Sequence, residues 1–233
     1  MIYQKTTDMV QIKKCTFEHI TKSYPCKEKS VLDGCMIMRQ SIKPEDVQSP
    51  FQVEAYALLF CISGEVNIIS DLRSYTVTPG TLFVYLPNNI IKIDCKKESI
   101  ISEVILASDY LRKNFLQWNK ISPLFIQTTN NPVITIPTNR RDELIRMLDN
   151  IQERIKTATC SEWNRKAYHA ALKTFLYDII SLANNPEFLE ITNIHQSRNQ
   201  DYFARFMQLV SQYCKKERKA VSYTHLRAHE TLR

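Results

Sequence analysis

Between residues 35 and 107 the chain breaks into short apolar runs separated by turn signals, and that pattern leaves few architectures open. Cys35 to Ile42 is the first run. Gln52 to Ile62 alternates, with Tyr56, Leu58, Phe60 and Ile62 on one face and Ala57, Leu59 and Cys61 on the other. Ser63-Gly64 interrupts it, and Glu65 to Ile69 resumes. A turn at Ser70-Asp71-Leu72-Arg73 leads to Ser74–Thr78, and Pro79-Gly80 suits the central positions of a type II turn. Thr81 to Leu86, Ile90 to Cys95 and Ile100 to Ala107 complete the set. About seven short strands at such spacing imply a β-sandwich or a small barrel.

The flanks read differently. Residues 1–34 form a polar arm with one short helix, in which Thr16 caps a turn carrying Phe17, Ile20 and Tyr24 before Pro25. From Ser108 the period becomes helical. A short helix carries Tyr110, Leu111 and Phe115, and a proline-containing loop follows. Thr138 then caps a helix with Leu144, Leu148, Ile151 and Ile155 on one stripe. Ser161 caps the next, whose stripe runs Trp163, Ala167, Ala171, Phe175, Ile179 and Ala183, with Leu172, Leu176 and Ile180 beside it. Residues 108–186 thus make a helical region and 187–198 a polar linker. Residues 199–219 make a last helix with Phe203, Phe206, Val210 and Tyr213 on one face. The expected class is α+β: a small antiparallel barrel, then helices.

The net charge of +7 is uneven. Residues 35–107 carry 6 basic and 8 acidic side chains, residues 108–219 carry 17 and 11. No apolar run is long enough for a membrane helix, and the first residues lack the apolar core of a signal peptide, so a cytoplasmic protein is expected. Residues 220–231 read Ala-Val-Ser-Tyr-Thr-His-Leu-Arg-Ala-His-Glu-Thr, which matches the translation of a transposon mosaic-end sequencing adapter. Residues 220–233 are therefore expected to be non-native and the native chain to continue past Lys219. The spacing of His225 and His229 is not taken as a metal site.

The 3 glycines form neither a GxGxxG nor a Walker loop. The 7 cysteines are scattered without a CxxC pair, as free buried thiols in a reducing compartment would be. No histidine lies between His19 and His169, so the strands cannot assemble the imidazole-rich set that a divalent iron, manganese or zinc ion prefers. Neither a metal nor another cofactor is expected, and no catalytic residue stands out. Arg39, Tyr56, Phe60, Phe83 and Tyr85 are the candidate ligand-binding residues, apolar walls with polar handles; ordinary barrel core is the competing reading. Leu172, Phe175, Leu176 and Ile179 either pack on the barrel or add a dimer contact, and the two are compatible. Lys215, Lys216 and Arg218 form a basic helix end, either solvated or on phosphates.

Residues 75–87 (Tyr-Thr-Val-Thr-Pro-Gly-Thr-Leu-Phe-Val-Tyr-Leu-Pro), following Gly64-Glu65-Val66, resemble the cupin-like sensor barrel of AraC/XylS-type transcription regulators. Residues 102–111 (Ser-Glu-Val-Ile-Leu-Ala-Ser-Asp-Tyr-Leu) are similar to the exit from that barrel. Residues 202–218 resemble the first helix of the family's DNA-binding domain. The order of parts agrees over nearly all of residues 1–219. The resemblance implies a homodimer that answers a small-molecule effector and, when intact, binds promoter DNA. Both recognition helices would lie beyond Lys219, so this chain would not itself read a DNA sequence. The alternative is a stand-alone non-metal cupin that binds or transforms a small metabolite, and a weaker one is a partner-binding module without a ligand.

Overall fold

The computed structural model describes residues 12–23, 28–46, 49–114, 128 and 131–183. Strands β1 (Lys13–Cys15) and β2 (Glu28–Leu32) flank helix α1 (Phe17–Ser23). Then come β3 (Cys35–Ile42), β4 (Phe51–Val53), β5 (Tyr56–Ser63), β6 (Val66–Ser70) and β7 (Arg73–Val77). They continue with β8 (Thr81–Tyr85), β9 (Ile90–Asp94) and β10 (Ser99–Leu106). Helix α2 (Ser108–Asn114), strand β11 (Val133–Thr135) and helices α3 (Thr138–Thr157) and α4 (Glu162–Ala183) follow.

The pairing of β3 to β10 is nested. β3 pairs with β10, β4 with β9, β5 with β8 and β6 with β7, all antiparallel. A long hairpin rolled over on itself gives that order, which is the jelly roll, an architecture that cupins share. Two sheets result: five strands in the order β1-β4-β9-β6-β7, and six in the order β11-β8-β5-β10-β3-β2. The α+β class and the cupin-like barrel expected from the sequence are what the chain forms.

Several local expectations are corrected. The polar arm belongs to the sandwich: β1 lies parallel to β4 and β2 pairs with β3, each at a sheet edge. The proline-containing loop supplies β11, which pairs with β8. The run Gln52 to Ile62 is two strands in different sheets, broken at the exposed Glu54, whose N–H donates to Cys15 O (3.0 Å). Thr16 does cap α1, its Oγ1 accepting from His19 N–H (3.1 Å), and Ser161 caps α4 through Asn164 N–H (3.0 Å). Thr138 does not cap α3; Pro137 occupies the N-cap and no side chain accepts there. The turn at Pro79-Gly80 closes with Thr81 N–H on Thr78 O (2.9 Å), as a type II turn requires.

Burial separates the sheets. In the five-stranded sheet β6 alternates buried Val66, Ile68 and Ser70 with half-exposed Asn67 and Ile69, the pattern of a sheet with one wet face. The central strands of the six-stranded sheet are buried on both sides. Met36, Met38, Ala57, Leu59, Cys61, Phe83, Tyr85, Ile101 and Ile105 meet the other sheet inside the barrel. On the opposite face Ile37, Leu58, Phe60, Val84, Val104 and Leu106 meet α3 and α4. Helix α3 contributes Leu144, Leu148, Ile151 and Ile155, as its period predicts. The stripe of α4 starts at Tyr168 rather than Trp163, which is 75% exposed.

Polar contacts fix the helix pair on the sheet. Arg39 Nη2 meets Asp149 Oδ1 at 2.7 Å, and Arg141 Nη2 donates to Ile62 O at 2.9 Å. Between the helices Arg140 bridges Glu143 (2.9 Å) and Asp178 (3.1 Å). No helix among the described residues is long and apolar enough to cross a membrane.

Candidate functional site

The five candidate ligand residues do not share one pocket. Strand alternation sends side chains of one parity into the barrel and the other parity outward. Phe83 and Tyr85 point inward, with ring centroids 5.1 Å apart, and Tyr75 packs edge-on to Phe83 at 5.4 Å. Tyr56 and Phe60 lie on the outer face, where Phe60 packs on Phe175 of α4 (5.8 Å). Arg39 shares the outward parity of Cys35 and Ile37 and pairs with Asp149 of α3. As barrel-pocket residues Arg39, Tyr56 and Phe60 are therefore corrected; they join the sheet to the helices.

The inward parity of the same strands brings a different polar group together. Gln40 on β3, Tyr85 on β8 and Glu103 on β10 meet inside the barrel. Glu103 is only 4% exposed and lies between Ile101 and Ile105, with Met38 and Leu59 as its cross-strand neighbours. Desolvation there pushes its carboxyl up to about 7, although hydrogen bonds from Tyr85 and Gln40 favour the charged form. Gln40 Nε2 stands 3.5 Å from Glu103 Oε2, at the long limit for a hydrogen bond. Cys61 also faces inward; its Sγ lies 3.5 Å from Ser63 O, and burial raises the thiol to about 11, so it is no thiolate at neutral pH.

This cluster offers a carboxyl, a phenol and an amide among apolar side chains. Such a set can orient a small molecule with hydrogen-bond donors, and the carboxyl can hold or release a proton near neutral pH. One inward carboxylate without an imidazole does not suit a transition metal, and the described residues hold no group of three metal-binding side chains. Glu103 is not among the residues singled out from the sequence, yet its signal is plain: it is the one charged residue in the Ile100 to Leu106 run, where Ser102 is the only other polar side chain.

The named dimer residues are core. Leu172, Phe175, Leu176 and Ile179 are all at most 5% exposed and pack on the sheet and α3. A contact between copies would have to use other surface. On the helix pair, a groove of about 350 Å³ lies between Met147, Ile151, Ala171 and Thr174, rimmed by Glu143, Arg146 and Asn150. Lys215, Lys216 and Arg218 lie outside the described residues, as do the linker 187–198, the whole helix expected over 199–219 and residues 220–233. Of the cysteines, Cys15, Cys35, Cys61 and Cys95 are buried and free and Cys160 is exposed and free.

No family profile matches the chain, and no curated protein does. Among solved structures, the Clostridium difficile EutQ protein is similar at 17% identity over 32% of this chain and 58% of its own, with a TM-score of 0.28. This chain thus spans little more than half of that one. A Neisseria meningitidis protein, NMB1881, is similar at 11% identity over 39% of this chain and 94% of its own (TM-score 0.31). A cupin superfamily protein of Desulfitobacterium hafniense is similar at 18% identity over 34% of this chain and 72% of its own (TM-score 0.32). Similarity at that level assigns neither family nor activity. The jelly roll itself rests on the nested strand pairing.

Proposed function

We propose that the chain is the effector-sensing part of a cytoplasmic, dimeric AraC-type transcription regulator, without enzymatic activity or cofactor, whose two recognition helices would follow residue 219. The observation that carries the reading is the two-faced use of one sheet. On β10, Glu103 points into the barrel while its neighbours Ser102 and Val104 belong to the helix side. An effector held by Glu103, Tyr85 and Gln40 would therefore press on the sheet that seats α3 and α4. The amphipathic, basic segment 202–218 then follows those helices in sequence, where the family places its first DNA-binding helix.

Gel-shift titration of the protein carried to its native C-terminus, on the DNA upstream of its own gene, tests this. Sequence-specific binding that weakens steeply with salt is expected, because phosphate contacts release counterions. Binding no better than to unrelated DNA overturns the regulator reading. The sensor part is tested by thermal-shift screening. A true effector at a hundred times its Kd adds about 2.7 kcal/mol of stability, and Glu103→Gln should abolish that gain.

A second reading has one observation in its favour. A carboxyl that titrates near 7 inside a barrel, with a phenol beside it, is also what proton transfer requires. A stand-alone cupin acting on a small metabolite would show turnover that follows Glu103 ionisation, and would lack specific DNA binding.

A further inference from the structure

A chain of polar side chains crosses the seam between barrel and helices, away from the barrel interior. Asp33 sits in the turn from β2 to β3 with φ +49°, followed by Gly34 at φ +86°. A side chain at Gly34 would meet Tyr110 Cβ of α2 at 3.0 Å, so the turn and α2 are in close contact. His169 of α4 reaches both partners: its Nε2 is 3.3 Å from Asp33 Oδ2 and its Nδ1 is 2.9 Å from the Tyr110 hydroxyl. Tyr168, fully buried, donates to Leu32 O at 3.4 Å and also lies within hydrogen-bonding reach of Tyr110 and Cys35.

The chemistry of the partners sets the tautomer. An ionised Asp33 only accepts, so Nε2 must carry the imidazole proton. Nδ1 is then an acceptor, and Tyr110 must donate to it. When His169 takes up a proton, Nδ1–H points at the Tyr110 oxygen and the phenol must turn its own hydrogen away, towards Tyr168. The Tyr110–His169 hydrogen bond reverses direction, while Tyr168 still donates to Leu32 O. The charged ring would face Asp33 favourably but Arg165 and Lys173 of its own helix unfavourably. Arg165 already holds Asp33, its Nε 3.2 Å from Oδ2. The groups packed on the ring from the other elements are Tyr110 on α2 and, behind it, Cys35 on β3, whose thiol burial raises to about 12. None of these supplies a second negative charge at neutral pH. Burial is the largest influence and opposes the protonated ring; with Lys173 and Arg165 it outweighs the pull of Asp33, so the pKa of His169 is lowered.

We propose that His169 is an acid-operated latch between the β2–β3 turn and helix α4, closed when the ring is neutral and loosened when it is protonated. The latch acts whatever the barrel binds, since Glu103 lies on the other side of the sheet.

The first test uses the unaltered protein. Ring-nitrogen NMR should show His169 at pH 7.5 as the neutral tautomer with its proton on Nε2, titrating below the free imidazole value. A proton on Nδ1, or titration at or above that value, overturns the proposal. Tyr110→Phe removes the bond donated to Nδ1 and should shift the His169 titration upward; no shift overturns the assignment of Tyr110 as donor. The third readout is the melting midpoint of wild type relative to His169→Gln, followed from pH 7.5 to 5.5. A wild-type midpoint that falls relative to the variant is expected. Parallel curves would mean that acid does not act through His169.

Discussion

A buried carboxylic acid and a partly buried imidazole place opposite pH dependences on this fold. Glu103 is held near 7 in the folded chain against about 4.5 when free. Between those values the folded state keeps a proton that the unfolded state has released. Stability therefore falls as pH rises from about 4.5 through 7, with a slope of at most about 1.4 kcal/mol per pH unit. Glu103→Gln should flatten that decline, so the variant gains on wild type between pH 5 and 8 in urea titrations. A constant difference would place the carboxyl in water. His169, lowered in the fold, works the other way: its contribution is present above its free value and lost as pH falls through the folded one. Leu72 is a different residue-scale case. It is fully exposed, at φ +71° in the β6–β7 turn, beside Asp71 at φ +47°. A left-handed backbone costs a residue with a Cβ roughly 1 kcal/mol, and nothing packs on this side chain in return. Leu72→Gly should therefore raise the urea midpoint by an amount worth up to about 1 kcal/mol, with an unchanged m value.

At the scale of elements, the helix pair and the six-stranded sheet explain what the sequence disclosed and what it withheld. The alternation in Tyr56 to Ile62 was legible, as were the periods of α3 and α4 and the caps at Thr16 and Ser161. Which face of β5 looks into the barrel was not legible, because a sheet covered on both sides is apolar at both parities. The aromatic parity, Tyr56 and Phe60, belongs to the helices, while Ala57, Leu59 and Cys61 face the interior. The same ambiguity made Arg39 look like a pocket residue, since only the register with β10 and α3 reveals its partner. Edge strands β1 and β11 were missed because they are only three residues long and pair non-locally, and β2 because its mostly polar, half-exposed residues show no apolar face. Phe175 is the element-scale test. It is fully buried against Phe60, so Phe175→Ala should cost about 3–5 kcal/mol of unfolding free energy. If it were instead a dimer contact, the variant would dissociate while keeping its protomer stability, which sedimentation alongside urea titration distinguishes.

For the whole molecule, the boundary that sequence composition suggests at residue 107 is not a boundary in the packing. One cluster of buried side chains runs from Cys35, Leu58, Leu82 and Val104 on the sheet through Tyr110 of α2 to Leu148 and Leu172 on the helices. Remove α3 and α4, and the outer face of β3, β5, β8 and β10 becomes an open apolar surface. Native monomers seldom tolerate such a patch beyond a few hundred Å². The barrel is therefore not an independent unit. It and the helix pair should unfold together, with a calorimetric enthalpy equal to the van't Hoff value, because the outer face of the sheet and the helices share one core even though the barrel interior has its own. A chain ending at residue 137, which retains every described strand, should accordingly aggregate or bind hydrophobic dyes. Two separated transitions, or a soluble and cooperatively folding barrel alone, would instead make the helices an appended domain. In that case the proposed route from Glu103 through β10 to α3 and α4 would not be a rigid coupling, and the sensing mechanism proposed above would need another path out of the barrel.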